Sequence, residues 1–477
     1  LLCSGCGGGQ TEVREDPNKV PDTPYEISWY VQGTAQKGVQ EIEAAANEYL
    51  KDKLNATLKL NILESGQYKK KMSTMIAAAE DFDMAFCANW MLDYRINAAN
   101  GAFAELDSYL DSYMPKTKEA IGAEILDNTR VNGKIYAIPA LKEFAQQKGW
   151  VYRKDIADKY GIDMSQYKNF EELKPVLERI KANEPDMQYP IDWSKDKAPA
   201  SRLNFSGLAS TAGVFNDGTY PDNKVVNLID TPEFLEACRL AHQYYKDGLI
   251  KEDIMTTSDT TQRFKDGKVF CYFEYLKPGK AAETYKTINY PIDQAGIDRV
   301  VQDQMAGTGS MTAISATSRN PARVLRFMEL YNTDPYLNNL IVYGIEDKNY
   351  KKLDENTVEL IPNSSYSLSG SQWMLGNVFI NHLTKDEDPN KIELLKDFNE
   401  EAVRPVFNGF TCDTEKIQQQ VAACVAVDTQ YRAQCVLGEM DPDTVIEEYR
   451  SKLKTAGIDE IVAEVQRQYD EFLSKKK

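Results

Sequence analysis

The sequence predicts two α/β lobes followed by a mainly helical C-terminal region, and three observations carry that prediction. A chain of 477 residues is too long for one ordinary hydrophobic core and suits two or three domains. From residue 25 onward, strand-like alternation and helix-like stripes take turns, the pattern of a sheet covered by helices. The last third carries mainly helical stripes.

The elements follow in order. Tyr25, Ile27, Trp29 and Val31 alternate with Glu26, Ser28 and Tyr30, which predicts a strand. Val39, Ile42, Ala46, Tyr49 and Leu50 share one helical face. Leu58, Leu60 and Ile62 alternate again. Tyr68, Met72, Met75, Ile76 and Ala79 make a second helical stripe, and Phe82, Met84 and Phe86 a third strand. Parallel strands joined by helices place ligands at the carboxyl ends of the strands, which brings residues 87–90 forward. In a second α/β region, residues 135–138 and 149–152 read as strands. Asn169 can cap a helix carrying Phe170, Leu173, Val176, Leu177 and Ile180. Asp230, Thr231 and Pro232 open another, with Phe234, Cys238, Ala241 and Tyr245 on one face. Residues 267–273 are strand-like. The chain then returns to the first lobe through a strand at 311–315 and a helix begun by Asn320 and Pro321, with Val324, Phe327, Met328 and Tyr331 inward. Near the end, Asp441 caps one helix and Gly457 stops it. Ile458, Ile461, Val462, Val465, Tyr469 and Phe472 then line one face of the last. Each stripe is read as core packing.

Composition narrows the function. Hydrophobic residues make up 42% and charged residues 27%, the balance of a globular protein. No apolar run is long enough to span a bilayer. A net charge of -17 without a large basic patch argues against nucleic acid as a partner. His242 and His382 are the only histidines, so a histidine-based triad or zinc site has almost no material. No calcium loop, Walker loop or dinucleotide fingerprint occurs, and no metal or cofactor is expected. Of eight cysteines, Cys412, Cys424 and Cys435 lie close enough in sequence to leave one disulfide open, the third staying free.

The first residues point to a compartment. Ser4, Gly5 and Cys6 resemble a bacterial lipobox, in which small residues precede a cysteine that takes a diacylglycerol on its thiol. Cys3 stands where such boxes usually carry Leu. Residues 1–5 then read as the remnant of a signal peptide. Residues 7–23, rich first in glycine and then in charge and proline, read as a flexible link.

Further landmarks carry a resemblance. They are Phe82 to Phe86 followed by Asn89 and Trp90, the run Asn132-Gly133-Lys134-Ile135-Tyr136-Ala137-Ile138-Pro139, and Arg153 to Gly161. Beyond these come Gln372 and Trp373 with Gly376 and Asn377, then Asn408 to Thr411. In order and spacing the chain resembles the family 1 extracellular solute-binding proteins of bacterial ABC importers. Within them it is similar to a lipoprotein subgroup with an extra C-terminal helical domain. Cys412 departs from the large apolar residue expected there. The resemblance implies a two-lobed periplasmic-binding-protein-like fold (type II) that closes on a ligand, many members taking sugars or oligosaccharides. It implies ABC permease subunits as partners, a monomer, and a lipid-anchored place on the outer face of a Gram-positive cell membrane. The expected divisions are a signal remnant and tether at 1–24 and a first lobe at 25–141 plus 285–345. A second lobe is expected at 142–284 plus 346–405, and the C-terminal helical region at 406–477.

A sugar site needs flat rings against sugar faces and amides or carboxylates around the edge. Trp29 and Trp150 lie within strand patterns and are read as core. The expected ligand contacts are Asn89, Trp90 and Tyr94 after the third strand, Trp193 in a polar loop, Glu274 and Tyr275 at a strand end, and Gln372, Trp373 and Asn377. For each of these, packing or solvated surface is the rival role. No catalytic residue is expected. Three other functions stay open: a binder of peptides or other small polar solutes on the same fold, a carbohydrate-active enzyme using two carboxylates, and a surface adhesin.

Overall fold

The structure, a computed structural model, describes residues 14–217, 219–220, 224–256, 260–284 and 288–476. Cys6 and its box lie outside them. The strands Tyr25–Gln32 and Ala56–Leu63 pair in parallel along their length, from Tyr25 opposite Ala56 to Gln32 opposite Leu63. Met84–Cys87 joins the other side of the first strand, also parallel. Met311–Ile314 returns antiparallel beside it, with Ala137–Pro139 at the edge. This five-stranded sheet is covered by the predicted helices: Val39–Leu54 buries Ile42, Ala46 and Leu50, and Ser65–Ala77 buries Tyr68, Met72 and Met75. Asp83 ties the sheet to its surroundings, accepting from the Tyr25 hydroxyl, the Ser28 amide and the Ser318 hydroxyl.

Two compact units divide the chain. One runs to Phe144 and resumes over Met305–Ile392; the other comprises Ala145–Gln304 and the chain from Glu393 on. These divisions differ from the expected ones in three places. Residues 285–304 stay with the second unit, because Ile292–Gly296 pairs with Ala145–Arg153 before the chain returns. Residues 346–392 belong to the first unit instead of the second lobe. The Tyr366 hydroxyl and Leu368 amide bond to the carbonyls of Ile341 and Val342 on the helix Pro335–Tyr343, and Asn377 bonds to the Asn332 carbonyl. Residues 406–477 do not form a core of their own. Tyr449, Leu453, Ile461 and Tyr469 share one apolar cluster with Trp150, Phe170 and Trp193 of the second unit.

The described part of the expected tether, from residue 14 on, is not free of the first unit. Glu15 lies within it, yet its backbone N–H and C=O both bond to the Tyr113 hydroxyl. Its carboxylate meets Arg323 at 2.7 Å and Arg326 at 3.2 Å. Arg323 is only 1% exposed, so this segment is packed against the first unit.

In the second unit, Ala145–Arg153 is the central strand, antiparallel to Cys271–Leu276 on one side and to Ile292–Gly296 and Val301–Gln302 on the other. Gly149 is required at its middle. A Cβ there would sit 2.2 Å from the Leu276 side chain and 2.3 Å from the Ala295 carbonyl oxygen. Asn169 and Thr231 cap Phe170–Asn183 and Pro232–Lys246 as read from sequence. On the latter helix Tyr244, not Tyr245, is the fully buried ring. Both follow Ala241 at near-helical spacing, and the Tyr244 hydroxyl reaches the Phe170 carbonyl. The helices Gln418–Val436 and Pro442–Ala456 are joined through Gly438, whose φ of +99° suits glycine and whose missing side chain lets it approach the Ala241 carbonyl. The six described cysteines are free thiols, Cys412, Cys424 and Cys435 among them.

Candidate ligand-binding site

In the first unit, three aromatic rings gather where the strand Met84–Cys87 ends. Phe86 is in the core, with Trp90 and Trp373 5.7 Å and 5.6 Å away between ring centroids. The Trp90 and Trp373 ring centroids lie 6.0 Å apart, with their planes tilted by 34° to one another. Trp90 is 46% exposed, and its indole N–H donates to the Gly309 carbonyl at 2.9 Å, which fixes the ring's orientation. Trp373 sits on the short helix Gln372–Met374, half-buried, its carbonyl accepting from the Ser310 hydroxyl. Asn89 donates to the Thr308 hydroxyl, while its Oδ1 has no partner among the described residues. Four expected contacts, Asn89, Trp90, Gln372 and Trp373, therefore fall on this segment-plus-helix arrangement. An oriented, partly wet pair of indoles is a surface on which an apolar ring face can stack.

The second unit holds a cavity of about 1440 Å³, larger than pockets that enclose a drug-sized molecule. Its floor is Gln146 and Lys148 with Gly296 and Asp298; Phe205, Tyr220 and Tyr275 bring aromatic rings, and Val406 and Arg432 come from the C-terminal part of the chain. Lys148 donates to the carbonyls of Arg202 and Leu203 and to Asn204 Oδ1. Burial, together with nearby Arg202, pushes its ammonium down to about 8. Burial likewise raises the Tyr275 phenol above its ordinary value.

Four expected contacts have internal roles instead. Tyr94 is fully buried, its hydroxyl donating to the Thr129 carbonyl at 2.7 Å. Trp193 is 2% exposed, edge-on to Phe170 and bonded through its indole N–H to the Leu437 carbonyl. The polar flank that made it look like a surface loop is a buried ion cluster: Asp192 lies 3.6 Å from Lys251 and 3.3 Å from Arg263. Asn377 caps a turn, its Oδ1 accepting from the Phe379 amide. Glu274 is buried in an ion pair with Lys197, and only its neighbour Tyr275 reaches the cavity. Sequence reasoning missed Gln146 and Lys148. Their signal was three successive polar residues, 146–148, ahead of the apolar stretch 149–151 of the same strand.

Two α/β units, one with a partly exposed indole pair and one with a roomy polar cavity, define a protein equipped to hold a sizeable solute. Residues 33–336 match the model of the family described as bacterial extracellular solute-binding protein, and residues 406–474 match a domain of unknown function, DUF3502. The chain belongs to the bacterial extracellular solute-binding proteins. It is 30% identical, over 100% of its own length and 95% of the relative's, to a carbohydrate ABC transporter substrate-binding protein of Streptococcus pneumoniae. Among solved structures it is similar to the N-glycan transport solute binding protein NgtS of the same species. That likeness has a TM-score of 0.85 and 29% identity, over 95% of this chain and 100% of the other. With NgtS in complex with Man5GlcNAc the TM-score is 0.72 at the same identity, over 95% and 100%.

Proposed function

We propose that the protein captures an oligosaccharide outside the cell and delivers it, chemically unchanged, to the permease of an ABC importer. The observation that carries this reading is the Trp90 and Trp373 pair, held at a strand end with one indole N–H already bonded and the ring faces left partly open. The carbohydrate relative and the oligosaccharide bound by NgtS support it. Beside the indoles, Asn89 and Gln372 supply hydrogen-bonding groups for hydroxyls. Trp373→Ala is expected to weaken binding of a mannose- and N-acetylglucosamine-containing oligosaccharide by about 1–3 kcal/mol, read by titration calorimetry. Unchanged affinity in the variant would remove the indole pair from the site. Recovery of shortened sugar after incubation with the protein would replace capture with hydrolysis.

The same reading makes the protein a monomer tethered by a lipid on Cys6 to the outer face of a Gram-positive cell membrane, with the small residues Ser4 and Gly5 before that cysteine as its support. Labelling with a palmitate analogue is expected to mark the full-length protein and to vanish in Cys6→Ser. Label retained in that variant would refute the anchor.

A further inference from the structure

The cavity of the second unit carries more positive charge than its own carboxylates answer. Arg299 lines it, is exposed, and has no hydrogen-bond or ion-pair partner among the described residues. Lys168 also lines it, with no ion pair to its ammonium. Lys148 is bonded only to uncharged oxygens, those of Arg202, Leu203 and Asn204. Of the lining carboxylates, Asp298 is already paired with Arg202 at 2.8 Å, and Asp217 accepts from the amide and hydroxyl of Thr219. Among the described residues, Asp196 alone of the three has no bonded partner. By charge the cavity lining holds five Lys and Arg side chains against three Asp, a local excess of two positive charges, opposite in sign to the chain's net charge of -17.

A neutral sugar would use Arg299 and Lys168 as hydrogen-bond donors but leave the positive charge uncompensated. A carboxylate on the sugar would do both. A guanidinium presents two parallel N–H donors that match a carboxylate, and a partly dry wall strengthens the attraction relative to open water. We propose that this cavity receives an oligosaccharide bearing a carboxylate, with Arg299 as the specificity-determining contact and Lys168 and Lys148 adding positive potential. The proposal rests on the carbohydrate reading above and narrows its substrate class.

The test is calorimetry on the full chain with two matched pairs: a sialylated oligosaccharide and its desialylated form, and a uronic-acid-terminated oligosaccharide and its neutral counterpart. The carboxylated member of at least one pair is expected to bind about tenfold tighter. Which pair shows the gap tells a sialic from a uronic acid. The gap is expected to shrink severalfold between about 50 and about 500 mM salt, and to narrow likewise in Arg299→Gln. The salt titration uses the unaltered protein, so it stands even if the variant folds poorly. Equal binding within both pairs would overturn the proposal and leave the carbohydrate reading intact. A gap that survives both high salt and Arg299→Gln would overturn it too. Failure of all four probes while the mannose- and N-acetylglucosamine-containing oligosaccharide still binds would overturn this proposal alone; failure of that oligosaccharide as well would overturn the carbohydrate reading with it.

Discussion

Asp192→Ala is expected to cost the second unit about 3–5 kcal/mol, the loss seen when one partner of a buried ion pair is removed. Asp192 and Lys251 are each 1% exposed, and Arg263 approaches the same carboxylate. Burial raises the Asp192 carboxyl above its ordinary value, against the pull of Lys251 and Arg263. The pair is thus a costly one: its attraction does not fully offset the desolvation of the carboxylate. Removing the carboxylate alone is nevertheless damaging, since the Lys251 ammonium stays in the core without it. The Trp193 amide, which donates to Asp192 at 2.9 Å, also loses its acceptor. Asp192→Ala combined with Lys251→Met is expected to recover most of the loss. Denaturant unfolding followed by Trp fluorescence would read both variants. A single variant within about 0.5 kcal/mol of the parent would show that the cluster is more hydrated than its exposure indicates.

Glu15→Ala is expected to destabilise the first unit by about 3 kcal/mol, the lower end of the range because the Glu15 side chain keeps 12% exposure. It strands Arg323, which is 1% exposed, and Arg326, which is 8% exposed. Arg323 would keep only its bonds to the carbonyls of Thr23, Leu54 and Asn55. The same contact predicts a pH dependence. Burial by itself raises the Glu15 carboxyl, but hydrogen bonds from Arg323 and Asn320 outweigh it and hold the group below its ordinary value of 4.5. A depressed carboxyl binds protons more weakly in the folded than in the unfolded chain. Its stabilisation is complete above pH 4.5 and is lost as pH falls through the folded value. Thermal unfolding of the parent is therefore expected to weaken below pH 4.5 more steeply than that of Glu15→Gln. Parallel curves would place the acid sensitivity elsewhere.

What could be read in advance was local. Asn169, Thr231 and Asp441 declare helix starts through a side chain that bonds two or three residues on. The faces of Phe170–Asn183 and Ile458–Lys476 follow from spacing alone. Trp90 and Trp373 were legible as candidates because Trp90 follows a strand end and Trp373 a Ser- and Gly-rich turn. What stayed hidden depends on partners far along the chain. Trp193 is internal because Lys251 and Arg263 neutralise its neighbour Asp192, and neither is close in sequence. Residues 346–392 join the first unit through main-chain bonds such as Leu368 to Val342, which carry no side-chain signature. The cavity draws Lys148, Arg299 and Arg432 from three separated segments, so no single window of sequence displays its charge.

The docking of Glu15 sets a leash length. Nine residue steps separate it from Cys6, and a fully stretched chain gains about 3.5 Å per step, so the lipid proposed for that cysteine would keep Glu15 within about 30 Å of the attachment point. That is less than the depth of a whole bilayer with its headgroups, about 40–45 Å. A molecule moored so closely would sweep only a narrow shell above the membrane.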